Sequence, residues 1–139
     1  MEISLHIKLT FKGNAAMKLL IADDNKNMRA AIRKIIKRSF KNIEIFECDN
    51  GDDAMKKYHI ILPDWVIMDV RLTGLNGLKA TQMITNADPN AKVIILTQYD
   101  DPEYKDAAKK AGAFRYVLKD NLLDIVKIIR FKNNSGEFP

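Results

Sequence analysis

Short apolar runs recur along the chain, separated by stretches whose apolar positions repeat every three or four residues. The runs are KLLIAD (18–23), IEIFEC (43–48), WVIMDV (65–70), KVIILT (92–97) and FRYVLK (114–119). They lack a clean alternation of apolar and polar positions, which suits parallel strands covered on both faces. The segments between them carry helix signals. DPEYKDAAKKAG (101–112) has Asp101 as N-cap, Pro102 in the first turn and Gly112 at the stop. NGLKATQMITNADP ends before Pro89, and DNLLDIVKIIRF (120–131) opens with cap residues. Five β-α pairs in strict order predict an α/β fold built on a parallel sheet. No internal repeat, low-complexity segment or interdomain linker interrupts them.

Two ends depart from this pattern. Ile3, Leu5, Ile7, Leu9 and Phe11 alternate with polar residues as in an extra strand, and Gly13 and Asn14 break the alternation. Met17 stands directly before the first regular strand, where a start codon would be natural. Residues 1–16 are therefore expected to be an extension or cloning remnant, dispensable for the core chemistry. Residues 17–131 are expected to form the regular domain, and the polar tail 132–139 to be a frayed end or vector remnant.

Composition narrows the class. A chain of 139 residues, 47% hydrophobic and 29% charged, fits one well-packed domain. The single cysteine, Cys48, excludes an internal disulfide framework or multi-cysteine metal site, and Cys48 and Trp65 read as structural. His6 and His59 are far apart and lack ligand-like spacing. No apolar run approaches a membrane span or a secretory signal, so a cytoplasmic location is expected. The net charge of +5 suits acidic partners.

The candidate chemistry lies in the polar residues that end the apolar runs. In an open parallel sheet, ligands bind beyond the carboxyl ends of the strands. The first strand ends in Asp23 and Asp24, the third near Asp69, the fourth at Thr97 and the fifth at Lys119. Singly, each has an ordinary reading: helix caps, a β-branched strand residue, a surface lysine. Jointly they bring three carboxylates, a hydroxyl and an ammonium to one edge. Crowded carboxylates repel one another, and a hard divalent cation such as Mg2+ removes that problem while leaving room for a phosphate oxygen. Asp69 then has the setting of a nucleophile that forms an aspartyl phosphate, with Lys119 offsetting phosphoryl charge and Thr97 donating a hydrogen bond.

The set IADDN, VIMDV, VIILT and YVLKD, in this order, resembles the receiver domain of response regulators over roughly residues 17–131, most like receivers joined to helix-turn-helix DNA-binding regulators. The resemblance implies a doubly wound, flavodoxin-like five-stranded sheet in the order 2-1-3-4-5 with helices on both faces. It implies phosphotransfer to Asp69 from a histidine kinase or phosphotransfer protein. It puts Asp24, Asp69 and the Arg71 carbonyl on Mg2+, with Asp23 acting through water. Thr97 and Tyr116 become the switch pair, the aromatic turning inward when Thr97 moves toward the phosphoryl group. DNA contact is expected only through an output domain, and a homodimer through the last strand and helices. The chain modifies and demodifies itself, so it is not an enzyme with an external product.

Two helices carry partner signals. In the first, Met28, Ile32, Ile35, Ile36 and Ser39 form the inward stripe, while Arg29, Arg33, Lys34, Lys37 and Arg38 fill the other side without a balancing acid. Arg29, Arg33 and Lys37 are expected to meet an acidic partner, most simply the kinase's helical bundle, with nucleic acid as the rival. In the last, Leu122, Ile125, Val126 and Ile129 face the core while Leu123, Ile128 and Phe131 point elsewhere, as on a contact surface. The preceding helix is Ala-rich and thinly packed. Three residues depart from the family pattern: Thr73 replaces the usual proline, Gln98 follows Thr97 where small residues are usual, and Arg71 can reach over the phosphate. Two other functions remain as alternatives: an interaction module acting through the basic helix, and an aspartate-nucleophile phosphatase, which needs an Asp where Arg71 stands.

Overall fold

The structure, a computed structural model, describes residues 15–131. The alternating stretch within residues 1–14 and the tail 132–139 lie outside the described residues. In chain order the elements are β1 (Met17–Ala22), α1 (Lys26–Ser39), β2 (Ile43–Cys48), α2 (Gly51–Ile61), β3 (Trp65–Asp69), α3 (Gly77–Ala87), β4 (Val93–Thr97), α4 (Pro102–Lys110), β5 (Arg115–Leu118) and α5 (Leu123–Arg130). A 3-10 turn, Lys119–Asn121, joins β5 to α5. The described strands form one parallel sheet in the order β2-β1-β3-β4-β5.

β3 and β4 are buried at every position and β1 and β5 at most, which explains their continuous apolar runs; the edge strand β2 is only partly covered. Side chains alternate across the sheet. Leu20, Val66, Met68 and Ile95 pack against Ala54 and Tyr58 of α2, Ala80 and Ile84 of α3 and Ala108 of α4. Leu19, Ile21, Ile67, Ile94 and Leu96 pack against Ile32 and Ile36 of α1 and Ile125, Val126 and Ile129 of α5. Each fully buried Leu or Ile contributes about 1.5–3 kcal/mol of transfer free energy. The chain leaves β1 toward β2 and then crosses back to β3. The direction of winding therefore reverses between β1 and β3, and a crevice opens there above the strand ends.

The helices begin where the sequence offers caps. Asn25 accepts from the amides of Asn27 and Met28, Asn50 from that of Asp53, and Asn76 from that of Lys79. These three helix starts follow β1, β2 and β3, so their positive dipole ends share the crevice edge. Gly112 ends the α4 segment at φ +90, a backbone that favours glycine.

Several expectations need correction. Asp101 stands at the N-cap of α4 as expected, but its side chain makes no capping bond; Pro102 and the acidic Glu103 occupy the first turn. The last helix begins at Leu123 rather than Asp120, because the chain first makes the 3-10 turn that carries Lys119. Ile128 does not face away: it packs, partly buried, against the α1/α5 side of the core. Leu123 and Phe131 do stand out, at 64% and 58% exposed.

Candidate functional site

Three strand ends and one turn assemble the site. Asp23 follows β1 directly, Asp69 closes β3, Thr97 closes β4 and Lys119 follows β5. Register sets their heights: Asp69 pairs with Leu96 and Thr97 with Leu118, so each polar residue stands level with the last apolar residue of the next strand. Asp23, Asp69 and Thr97 are 1%, 5% and 1% exposed, whereas Asp24 is open to solvent.

The buried carboxylates share one cation. Lys119 Nζ lies 3.2 Å from Asp23 Oδ2 and 3.3 Å from Asp69 Oδ2. Asp23 Oδ1 accepts from the Asn25 amide at 2.8 Å, so a helix cap and a site residue are positioned by one turn. Asp69 Oδ1 takes only a long bond, 3.4 Å, from the Arg71 amide. Burial, and next the Asp23 charge, push the Asp69 carboxyl up from its ordinary 3.8 to about 6, against the pull of Lys119 and the Arg71 amide. Burial alone would lower Lys119, but the charges of Asp69 and Asp23 outweigh it and hold the ammonium above its ordinary range.

This excess of negative charge asks for a cation. Among the described residues, Asp23, Asp24 and Asp69 each offer an oxygen, and these oxygens lie within 4.8 Å of one another. Asp23 Oδ2 is buried and accepts no hydrogen bond despite its ion pair with Lys119. An orphaned carboxylate oxygen beside two others, all hard donors, fits a magnesium-type ion that keeps several waters.

Thr97 and Tyr116, expected from the resemblance to be a switch pair, both bond to Tyr99. The Thr97 hydroxyl accepts from the Tyr99 amide at 3.2 Å. Tyr116 is buried, and its hydroxyl donates to the Tyr99 carbonyl. Burial, then Asp101 and Asp100, push the Tyr116 phenol up to about 12, so it stays a proton donor across physiological pH. Gln98 is exposed, and Thr73 forms a backbone bridge with Asn50 that ties the loop after β3 to the start of α2.

The basic face of α1 is corrected by the structure. Arg29 and Arg33 do have a balancing acid: Glu47 of β2, at 3.0 and 2.9 Å. Arg29 also donates to the Asp23 carbonyl and Lys37 to the Ile43 carbonyl. Burial works to raise Glu47, but the Arg33 and Arg29 guanidiniums hold its carboxyl below the ordinary range. Sequence spacing shows which side of α1 is polar; it does not show that β2 lies alongside. Lys34 and Arg38 remain exposed. Sequence reasoning also passed over Tyr99 and Tyr104, whose rings stack at 5.1 Å. The two aromatics of QYDDPEY, five apart across a helix start, were the available signal.

Comparison with known proteins agrees with this geometry. The model of the response regulator receiver domain matches residues 19–130, and the chain belongs to that family. It is 32% identical over 121 residues to the transcriptional regulatory protein LnrK of Bacillus subtilis, covering 86% of this chain and 55% of LnrK. It is 37% identical over 103 residues to the chemotaxis protein CheY of Listeria monocytogenes, covering 74% of this chain and 86% of CheY. A solved DNA-binding response regulator of the LuxR family from Staphylococcus aureus superposes with a TM-score of 0.78 at 35% identity, over 85% of this chain and 99% of that one. The chain thus spans about half the length of LnrK but most of CheY. It is a receiver domain of two-component signalling, and neither the phosphatase nor the basic-helix module is favoured. Among the described residues no helix is long and apolar enough to cross a membrane.

Proposed function

We propose that Asp69 is the phosphoacceptor, taking its phosphoryl group from a phosphohistidine on a histidine kinase or phosphotransfer protein. The observation that carries this reading is the Asp23–Lys119–Asp69 cluster at the crevice, with Asp69 buried yet held by only one ammonium and one long amide bond. An Asp69 oxygen attacks phosphorus. The P–O bond forms as the P–N bond breaks, and the electron pair returns to the imidazole, which takes up a proton. Lys119 faces the acceptor and offsets charge on the transferring group. Thr97 donates to a phosphoryl oxygen after giving up its bond to the Tyr99 amide, and Tyr116 responds through the same residue. Asp24, Asp69 and the Arg71 carbonyl are the residues that would hold Mg2+, with Asp23 acting through water. When bound, that ion supplies charge neutralisation at a phosphoryl oxygen.

The partners follow from this reading. The kinase meets the crevice and the exposed end of α1, where Lys34 and Arg38 are free of the Glu47 pairing that engages Arg29 and Arg33. A homodimer uses the α4-β5-α5 side, and DNA is reached only through a joined output domain. The protein works in the cytoplasm, on the side of the membrane where phosphohistidine is made.

Intact mass after incubation with acetyl phosphate and Mg2+ tests the core of this. Wild type gains one phosphoryl group, and Asp69→Asn gains none. Steady release of phosphate with no phosphorylated chain accumulating at any time would instead support a phosphatase.

A further inference from the structure

Arg71 is the second residue after Asp69, and its guanidinium is committed to no acid. Its amide donates to Asp69 Oδ1, so its side chain starts beside the acceptor carboxylate. Arg71 forms no ion pair among the described residues. Its guanidinium carbon instead lies 5.0 Å from the centre of the Tyr99 ring. Tyr99 in turn stacks on Tyr104, with centroids 5.1 Å apart and planes 18° from parallel. The Tyr99 carbonyl also accepts the Tyr116 hydroxyl.

The helix on the far side of this stack is weakly held. Within α4 only Ala108 is buried. Tyr104 is the large side chain of α4 that packs against the core, and its ring stacks on Tyr99. Whatever shifts the Tyr99 ring therefore shifts the main anchor of α4.

We propose that Arg71 is a positioning residue with two seats: the face of Tyr99 in the resting protein and the phosphoryl oxygens on Asp69 after transfer. This rests on Asp69 being the phosphoacceptor. A guanidinium is held more strongly by a phosphoryl dianion, through paired charge-assisted hydrogen bonds, than by an aromatic face. Arrival of the phosphoryl group draws Arg71 off Tyr99. The Tyr99–Tyr104 stack loses its outer clamp, and α4 and the Tyr116 hydroxyl bond are freed to rearrange. Thr97 and Arg71 then act on Tyr99 from opposite ends, one through its amide and the other through its ring.

The test uses nuclear magnetic resonance of the whole chain, with Mg2+ and beryllium trifluoride as an unreactive stand-in for the phosphoryl group. At rest the Arg71 Nε–H signal is shielded by the Tyr99 ring. On adding the mimic it loses that shielding, and the Tyr104 ring signals move with it. Tyr99→Phe keeps the aromatic face and repeats this behaviour. Tyr99→Leu abolishes the resting shielding and moves the Ala108 amide toward its activated position before any mimic is added. The proposal is overturned if the Asp69 and Thr97 amides respond to the mimic while the Arg71 and Tyr104 signals stay put. If the Asp69 and Thr97 amides do not respond either, the phosphoacceptor reading fails, and this proposal with it.

Discussion

Asp69 is kept in a poorly solvated state that favours its protonated form. Its carboxyl, raised to about 6, holds a proton more tightly in the folded chain than in the unfolded one. The sign follows from linkage: this site favours folding below the ordinary pKa of 3.8, and the benefit is lost as pH rises through about 6. The difference amounts to about 3 kcal/mol. Urea denaturation in chelator should therefore find Asp69→Asn more stable than wild type at pH 7, with the gap closing toward pH 4. A gap independent of pH would show that desolvated charge is not its origin. Cys48 has a different character: burial, then Asp53, push its thiol up to about 11, so it stays protonated and inert as a packed core residue.

Among the elements, the turn from β3 into α3 is the most tightly constrained part of the site. A Cβ on Gly77 would lie 1.8 Å from the Asp69 carbonyl oxygen, so only glycine lets α3 start this close to the acceptor. Gly77→Ala should cost about 3 kcal/mol or more in urea denaturation and slow phosphoryl uptake, since relief requires moving the Asp69 backbone. The α1–β2 contact is more forgiving. Glu47→Gln removes two half-exposed ion pairs and should cost only about 1 kcal/mol in total. It should also strengthen salt-sensitive binding to polyanions, read by titration with DNA at low salt, because Arg29 and Arg33 are then unbalanced. The proposed switch would need several elements at once. A charge-assisted bond from Thr97 gives about 1.5–3 kcal/mol, while moving a population from 1:99 to 99:1 takes about 5.5 kcal/mol. The second input through Arg71 and Tyr99 helps to close that gap.

For the molecule as a whole, the proposed Mg2+ site at the crevice would couple folding to ion binding. Mg2+ at a hundred times its Kd should stabilise wild type by about 2.7 kcal/mol, seen as a rise in urea midpoint. Asp69→Asn, which removes one anionic donor, should blunt that rise; an equal rise in both would place the ion elsewhere. The order of apolar runs and the polar residue ending each run were legible from the chain alone. In a parallel sheet those two features determine fold class and the edge where chemistry collects, so Asp23, Asp24, Asp69, Thr97 and Lys119 could all be picked out by position. Side-chain reach between elements was not legible. Glu47 neutralises Arg29 and Arg33 only because β2 lies under α1, and Ile128 is partly covered only because the α1/α5 side of the core reaches past the central stripe of α5. Periodicity reports what one element presents; it carries no information on which neighbour it meets, and that is why the stack of Arg71, Tyr99 and Tyr104 is a fact of the tertiary structure alone.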